Sequence, residues 1–103
     1  MSGMSEISRR ITLNVRGCRF ETFQATLEEF PETLLGSEEK RSRFYDPRTG
    51  EYYLERDKSA FDAILFYYQS GGILSRPPTI SANVFDEELK FYEIQTGDRK
   101  SVV

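Results

Sequence analysis

Residues 57–72 read DKSAFDAILFYYQSGG, and this stretch sets the fold. Phe61, Ile64, Leu65 and Tyr68 recur at i, i+3, i+4 and i+7, the spacing of one helix face. Ala60 and Ala63 thin a second face, where another element can approach closely. Asp57 or Ser59 is suited to cap the start, and Asp62 three residues after Ser59 supplies part of a capping box. Gly71 and Gly72 suit the left-handed backbone that ends helices. Phe61, Phe66, Tyr67 and Tyr68 carry more aromatic area than a lone surface helix needs, so the rest of the chain is expected to pack around them.

Upstream, residues 10–22 read RITLNVRGCRFET and form a hairpin pattern. If Arg16-Gly17 is a two-residue turn, Val15 pairs with Cys18, Leu13 with Phe20 and Ile11 with Thr22. All six then point to one face. Arg-Gly is a weaker turn signal than Asn-Gly, and a bulged turn satisfies the pattern equally well. On this reading Cys18 is a small buried hydrophobe.

Residues 23–36, FQATLEEFPETLLG, read as two short helical pieces, with Phe23, Leu27 and Phe30 at helical spacing and Pro31 between the pieces. Residues 37–43, SEEKRSR, read as a solvated, mixed-charge loop. A second hairpin follows, with a strand beginning at Phe44-Tyr45, a turn at Asp46-Pro47-Arg48-Thr49-Gly50 and a strand over 51–56. Pro77 and Pro78 make 73–82 a connector. A last helix is expected over 83–94, with Phe85, Leu89 and Tyr92 inward and Asp86–Lys90 as an i, i+4 pair. The sum is α+β: locally paired strands with helices packed on one side. The domain spans 10–95, between flexible segments at 1–9 and 96–103.

Composition narrows the chemistry. The 103 residues suffice for one domain and one core, and the 14% aromatics come from eight Phe and six Tyr. A net charge of −3 gives no electrostatic drive toward nucleic acid. No apolar run approaches the roughly 20 residues that span a bilayer. Cys18 is the one cysteine and there is no histidine. An internal disulfide is therefore impossible, a structural zinc within one chain lacks ligands, and Ser–His or Cys–His nucleophiles cannot be built. No phosphate-cradling glycine loop is present, since Gly71-Gly72 follows a helix instead of opening one. Glu55-Arg56-Asp57-Lys58 stands out, four alternating charges between a strand and the main helix, and reads equally as a solvated connection with a helix cap or as a polar protein–protein contact.

Five blocks, ITLNVRGCRFET, TLEEFPETLLG, FYDPRTGEYYLERD, FDAILFYYQSGG and VFDEELKFYEI, resemble in order and spacing the cytoplasmic tetramerisation domain of Shaker-type voltage-gated potassium channels. The resemblance covers about residues 10–94. It implies a BTB/POZ-like fold that performs no catalysis, binds no cofactor and assembles as a fourfold ring on the cytoplasmic side of the plasma membrane. Partners would be identical or related channel subunits, with a cytoplasmic β subunit as a further candidate. The resemblance places subunit contacts at Asn14, Thr22, Glu55, Arg56 and Asp57. Family branches outside the Shaker type hold zinc between subunits through His and Cys, a cluster this chain lacks. Arg16, Cys18 and the segment 57–60 depart from the family pattern close to those contacts, which fits a divergent subunit with its own partner preference. The alternative within the superfamily is an adaptor that recruits substrates to a cullin-type ubiquitin ligase.

Overall fold

The computed structural model describes residues 9–95. The segments expected to be flexible at either end lie outside these residues, apart from Arg9. In chain order the elements are β1 (Arg10–Val15), β2 (Cys18–Phe23), α1 (Gln24–Leu27), α2 (Glu38–Arg41), a 3-10 turn (Ser42–Phe44), β3 (Tyr45–Asp46), β4 (Glu51–Leu54), α3 (Lys58–Gln69) and α4 (Ala82–Phe91).

The first hairpin takes the two-residue form. Arg16 at φ 51° and Gly17 at φ 96° put both turn residues in left-handed space, whose twist matches the flanking strands. The Gly17 amide donates to Asn14 Oδ1 at 2.7 Å, which steadies the turn. Val15 pairs with Cys18, Leu13 with Phe20 and Ile11 with Thr22, as the alternation requires. Ile11, Leu13, Val15 and Thr22 are buried. Cys18 is not: it is exposed. It lies at the turn end of β2, an edge strand with a neighbour on one side only.

The strands are not all paired locally. The sheet order is β2-β1-β4-β3, with β1 parallel to β4 and Val15 opposite Leu54. The 16–50 segment is thus a crossover that leaves one sheet face for the helices and the other for solvent. Leu13, Val15 and Leu54 face inward, whereas Asn14, Arg19, Glu51 and Tyr53 stand on the outer face.

α3 packs as its pattern predicts. Phe61, Ile64, Leu65, Tyr67 and Tyr68 are buried, and Ala60 is fully closed off. Each such aliphatic or aromatic side chain contributes about 1.5–3 kcal/mol on burial. Phe20 meets Phe61 at 4.8 Å between ring centroids, which fixes the hairpin to the helix. Asp57, not Ser59, caps the start: its Oδ1 accepts the Ala60 amide at 3.0 Å. At the other end Gly71, at φ 81°, lets the Gly72 amide reach the Tyr67 carbonyl at 2.9 Å.

Between α1 and α2 the expected second helical piece is replaced by turns. Pro31 brings no amide proton to a helix ladder, and the Thr33 hydroxyl takes over local bonding by donating to the Phe30 carbonyl and accepting the Gly36 amide. Gly36 is obligatory there, since a Cβ would sit 1.9 Å from the Phe30 carbonyl oxygen. Phe23 projects from β2 and is exposed instead of joining Leu27 in the core. The 37–43 run is ordered as well. It forms α2 and the 3-10 turn, and Arg41 is only 2% exposed. The Arg41 guanidinium donates to the Leu35 carbonyl at 3.0 Å and to Glu28 Oε2 at 2.9 Å.

α4 begins one residue earlier than the sequence pattern suggests, because the Ser81 side chain accepts the Val84 amide. Its inward face carries Phe85, Leu89 and Tyr92 as expected. Lys90 pairs with Glu87 at 3.7 Å and not with Asp86. Glu93, at φ 58°, turns the chain so that the Ile94 amide bonds the Leu89 carbonyl, and Lys40 bridges to Glu93.

Candidate subunit interface

Asn14 lies on β1 with its side chain on the outer sheet face. Its amide donates to Glu51 Oε1 at 3.1 Å across the parallel pair. Arg19, opposite Asn14 on β2, donates to Glu51 Oε2 at 2.7 Å. One carboxylate on β4 is therefore held by groups from β1 and β2. These two bonds, Arg19's first, hold the Glu51 carboxyl below its ordinary value. The network is exposed at Arg19 and more enclosed at Glu51, so the ion pair is held at the surface of the sheet.

Glu55, Arg56 and Asp57 link β4 to α3. Glu55 is exposed. Asp57 is committed to capping α3. Arg56 is clamped inward, with Nε and Nη2 donating to the two carboxylate oxygens of Glu88 at 3.2 and 2.9 Å. Its guanidinium also lies 4.4 Å from the centroid of the Phe91 ring. Such a two-point grip with an aromatic platform fixes the plane of the group. Arg56 keeps 29% of its side chain exposed while Glu88 is buried, so the pair reaches the surface through the arginine. Close by, the Tyr92 hydroxyl is buried without a hydrogen-bond partner among the described residues. Burial is the main cause that pushes its ionisation upward, and the Glu88 charge adds to it.

Glu55, Arg56 and Asp57 follow one another on the β4–α3 link, and the hairpin turn next to Asn14 reaches the start of that link. The Arg16 amide bonds the Leu54 carbonyl at 3.1 Å, so the hairpin turn abuts the approach to α3. Arg16, Asp57, Lys58 and Ser59 line one shallow cleft there. Thr22 is elsewhere. It sits three pairings down the hairpin from Arg19, about 10 Å at the rise of a strand, and its side chain is buried. Thr22 shapes a second surface hollow with Arg10, Glu21 and Phe23.

Sequence reasoning missed Arg19, Glu51, Glu88 and Arg41. The outward parity of Arg19 followed from the hairpin register. Glu51 as its partner did not, because the β1–β4 pairing joins residues 37 positions apart. Glu88 gave one faint signal, a carboxylate next to the inward Leu89. Among the described residues no group of three or more His, Cys, Asp or Glu could hold a metal ion, and no helix is long and apolar enough to cross a membrane.

A four-stranded mixed sheet with helices on one face and ordered charge on the other is an α+β domain of the BTB/POZ kind. Residues 11–101 match the BTB/POZ domain model, and the chain belongs to that family. The chain is 52% identical to the Shaker-related potassium channel tsha2 of Oncorhynchus mykiss, over 90% of its own length and 19% of the channel's. It is 51% identical to human potassium voltage-gated channel subfamily A member 4, over 87% of this chain and 14% of that protein. Subfamily A member 2 of Mus musculus is also 51% identical, over 86% of this chain and 18% of its own length. The chain thus spans less than a fifth of each of these relatives.

Proposed function

We propose that this domain is the subunit-assembly module of a voltage-gated potassium channel, forming a fourfold ring on the cytoplasmic side of the membrane. The observation that carries the reading is similarity of about half the residues to voltage-gated potassium channels, running through nearly the whole domain. The geometry supports it. A closed ring needs two different patches on each subunit, one fitting the other. The candidates divide that way: Asn14, Glu55, Arg56 and Asp57 at the turn end of the hairpin, and Thr22 with Arg10 and Glu21 at the open end.

The module performs no reaction. It raises the local concentration of attached membrane segments and admits subunits whose charges match. Glu51 and Arg56 are already oriented within the monomer, so little side-chain ordering is left to be lost on association. The partners are copies of this chain or related channel subunits, and a cytoplasmic β subunit is a further docking partner. The ring needs no metal.

Light scattering on the purified chain tests this. The expected mass is about four times the 12.0 kDa of one chain, unchanged by chelator. A mass near five chains favours the adaptor reading, and a strict monomer at tens of micromolar removes the proposal. Replacing Thr22 with Val keeps its shape and deletes its hydroxyl. This variant is expected to weaken the ring while the helical circular dichroism stays intact.

A further inference from the structure

The two ends of the β1–β2 hairpin carry charges that the fold itself does not use. At the turn end, Arg16 and Lys58 are exposed and make no ion pair with a described residue. With Asp57 and Ser59 they line a shallow hollow of about 380 Å³, room for a side chain from another molecule. The Asp57 carboxylate accepts the Ala60 amide at 3.0 Å and offsets one of the two cations, so the hollow stays net positive. Glu55, on the same link, is exposed and likewise has no ion pair with a described residue. At the open end, Glu21 projects from the outer face of β2. Arg10 reaches it only at 3.6 Å, with 66% of the arginine and 61% of the glutamate side chain exposed. The Arg10 guanidinium lies 5.6 Å from the centroid of the Phe23 ring. So open a pair binds its carboxylate weakly, and Glu21 keeps its capacity for a second cation.

We propose that Arg16 and Lys58 receive Glu21 of the neighbouring subunit, and that this contact selects the subunits with which the chain assembles. The inference rests on the assembly reading above, in which the turn end of one subunit meets the open end of the next. The two ends carry their charges in opposite order. Head to tail, the cations at 16 and 58 face Glu21, and Glu55 faces Arg10. Turn end against turn end, cations would face cations, which disfavours a two-fold dimer in place of a closed ring. Arg10 of the neighbour is the like charge that Arg16 and Lys58 must pass, and its place on the Phe23 ring gives it a site apart from Glu21. A subunit with a neutral or basic residue in place of Glu21 is then a poorer neighbour. Arg16 departs from the family pattern, so the preference is this chain's own.

The test is light scattering and native mass spectrometry on the full chain and two variants, R16E/K58E and E21K, in about 0.05 M salt. All three positions are exposed, and an acidic side chain at 58 suits the first turn of α3, so the helical circular dichroism is expected to match the parent. Each variant alone is expected to need a concentration about tenfold higher than the parent to keep half of its chains in rings. The difference is expected to shrink at about 1 M salt. An equimolar mixture of the two variants is expected to assemble as the parent does, in rings holding two chains of each kind, because alternation sets opposite charges at every junction. Variants that assemble as tightly as the parent, or a mixture no tighter than its components, overturn the contact while the ring stands. A parent that stays monomeric removes the assembly reading itself and the contact with it.

Discussion

Two arginine–glutamate pairs of identical chemistry sit in different surroundings in this domain. Arg56–Glu88 joins the β4–α3 link to α4, with its carboxylate buried and its guanidinium on Phe91. Arg19–Glu51 lies across the outer sheet face, with more than half of the arginine side chain in solvent. The first cannot lose its arginine without stranding the Glu88 carboxylate in the interior. The second loses only a contact that water largely replaces. The same pair of residue types therefore serves the fold in one place and the surface in the other, and burial decides which.

Removing half of the inner pair gives the largest expected effect. Arg56→Met leaves the Glu88 carboxylate buried without its cation and is expected to cost about 2–3 kcal/mol in urea unfolding, the lower end reflecting the partly exposed arginine. Adding Glu88→Leu to the same chain is expected to recover most of that loss, since no charge is then left uncompensated. If the double variant is as unstable as the single one, the clamp works through packing on Phe91 and not through charge.

The outer pair should respond differently. Glu51→Gln is expected to leave the urea unfolding midpoint nearly unchanged, because the Arg19 bond it weakens is exposed to water. Under the assembly reading the same variant lowers the mass seen in light scattering at a fixed concentration, as Arg19 and Asn14 lose the anion that orients them. A stability loss equal to that of Arg56→Met would erase the distinction between the two pairs.

The smallest expected effect is a titration. The folded Glu51 carboxyl ionises below its ordinary value of 4.5, with the Arg19 bond as the main cause. Its contribution is therefore complete above that value and is lost as pH falls through the lower, folded one. In Arg19→Gln the carboxyl should titrate closer to 4.5, measured by the Glu51 side-chain carbon signal in nuclear magnetic resonance. Parent and variant should converge in stability once the solution is more acidic than both ionisations. A Glu51 titration that is unmoved in the variant would assign the lowering to Asn14 instead.

Much of the architecture was legible because it follows from local periodicity. Phe61, Ile64, Leu65 and Tyr68 announced α3, and the alternation from Ile11 to Thr22 gave the hairpin register residue by residue. Cys18 obeyed the parity but not the burial, because parity says which face a residue takes and not whether anything covers that face. Arg41 was hidden for the opposite reason. It lies in the most polar run of the chain, yet Glu28 and the Leu35 carbonyl, thirteen and six residues upstream, give its charge a place inside. Among the candidate contacts, the hairpin register gave Asn14 its outward side and the capping pattern offered Asp57 as the start of α3. The inward commitment of Arg56 depends on α4, which no pattern around residue 56 encodes.

The parallel seam between β1 and β4 also orders events in time. The β1–β2 hairpin closes over two residues and can form in about 1–10 μs, as soon as both strands exist. Asn14 and Glu51 must instead wait for the intervening chain to fold back, at an entropic cost that grows with the length of the loop. A ribosome delivers about 5–20 residues per second, so the nascent hairpin spends seconds with β1 unpaired on one side. Throughout that interval the exposed edge is open to the same strand of a neighbouring nascent chain. The spacing of ribosomes on the message thus becomes one of the conditions under which this fold is made correctly.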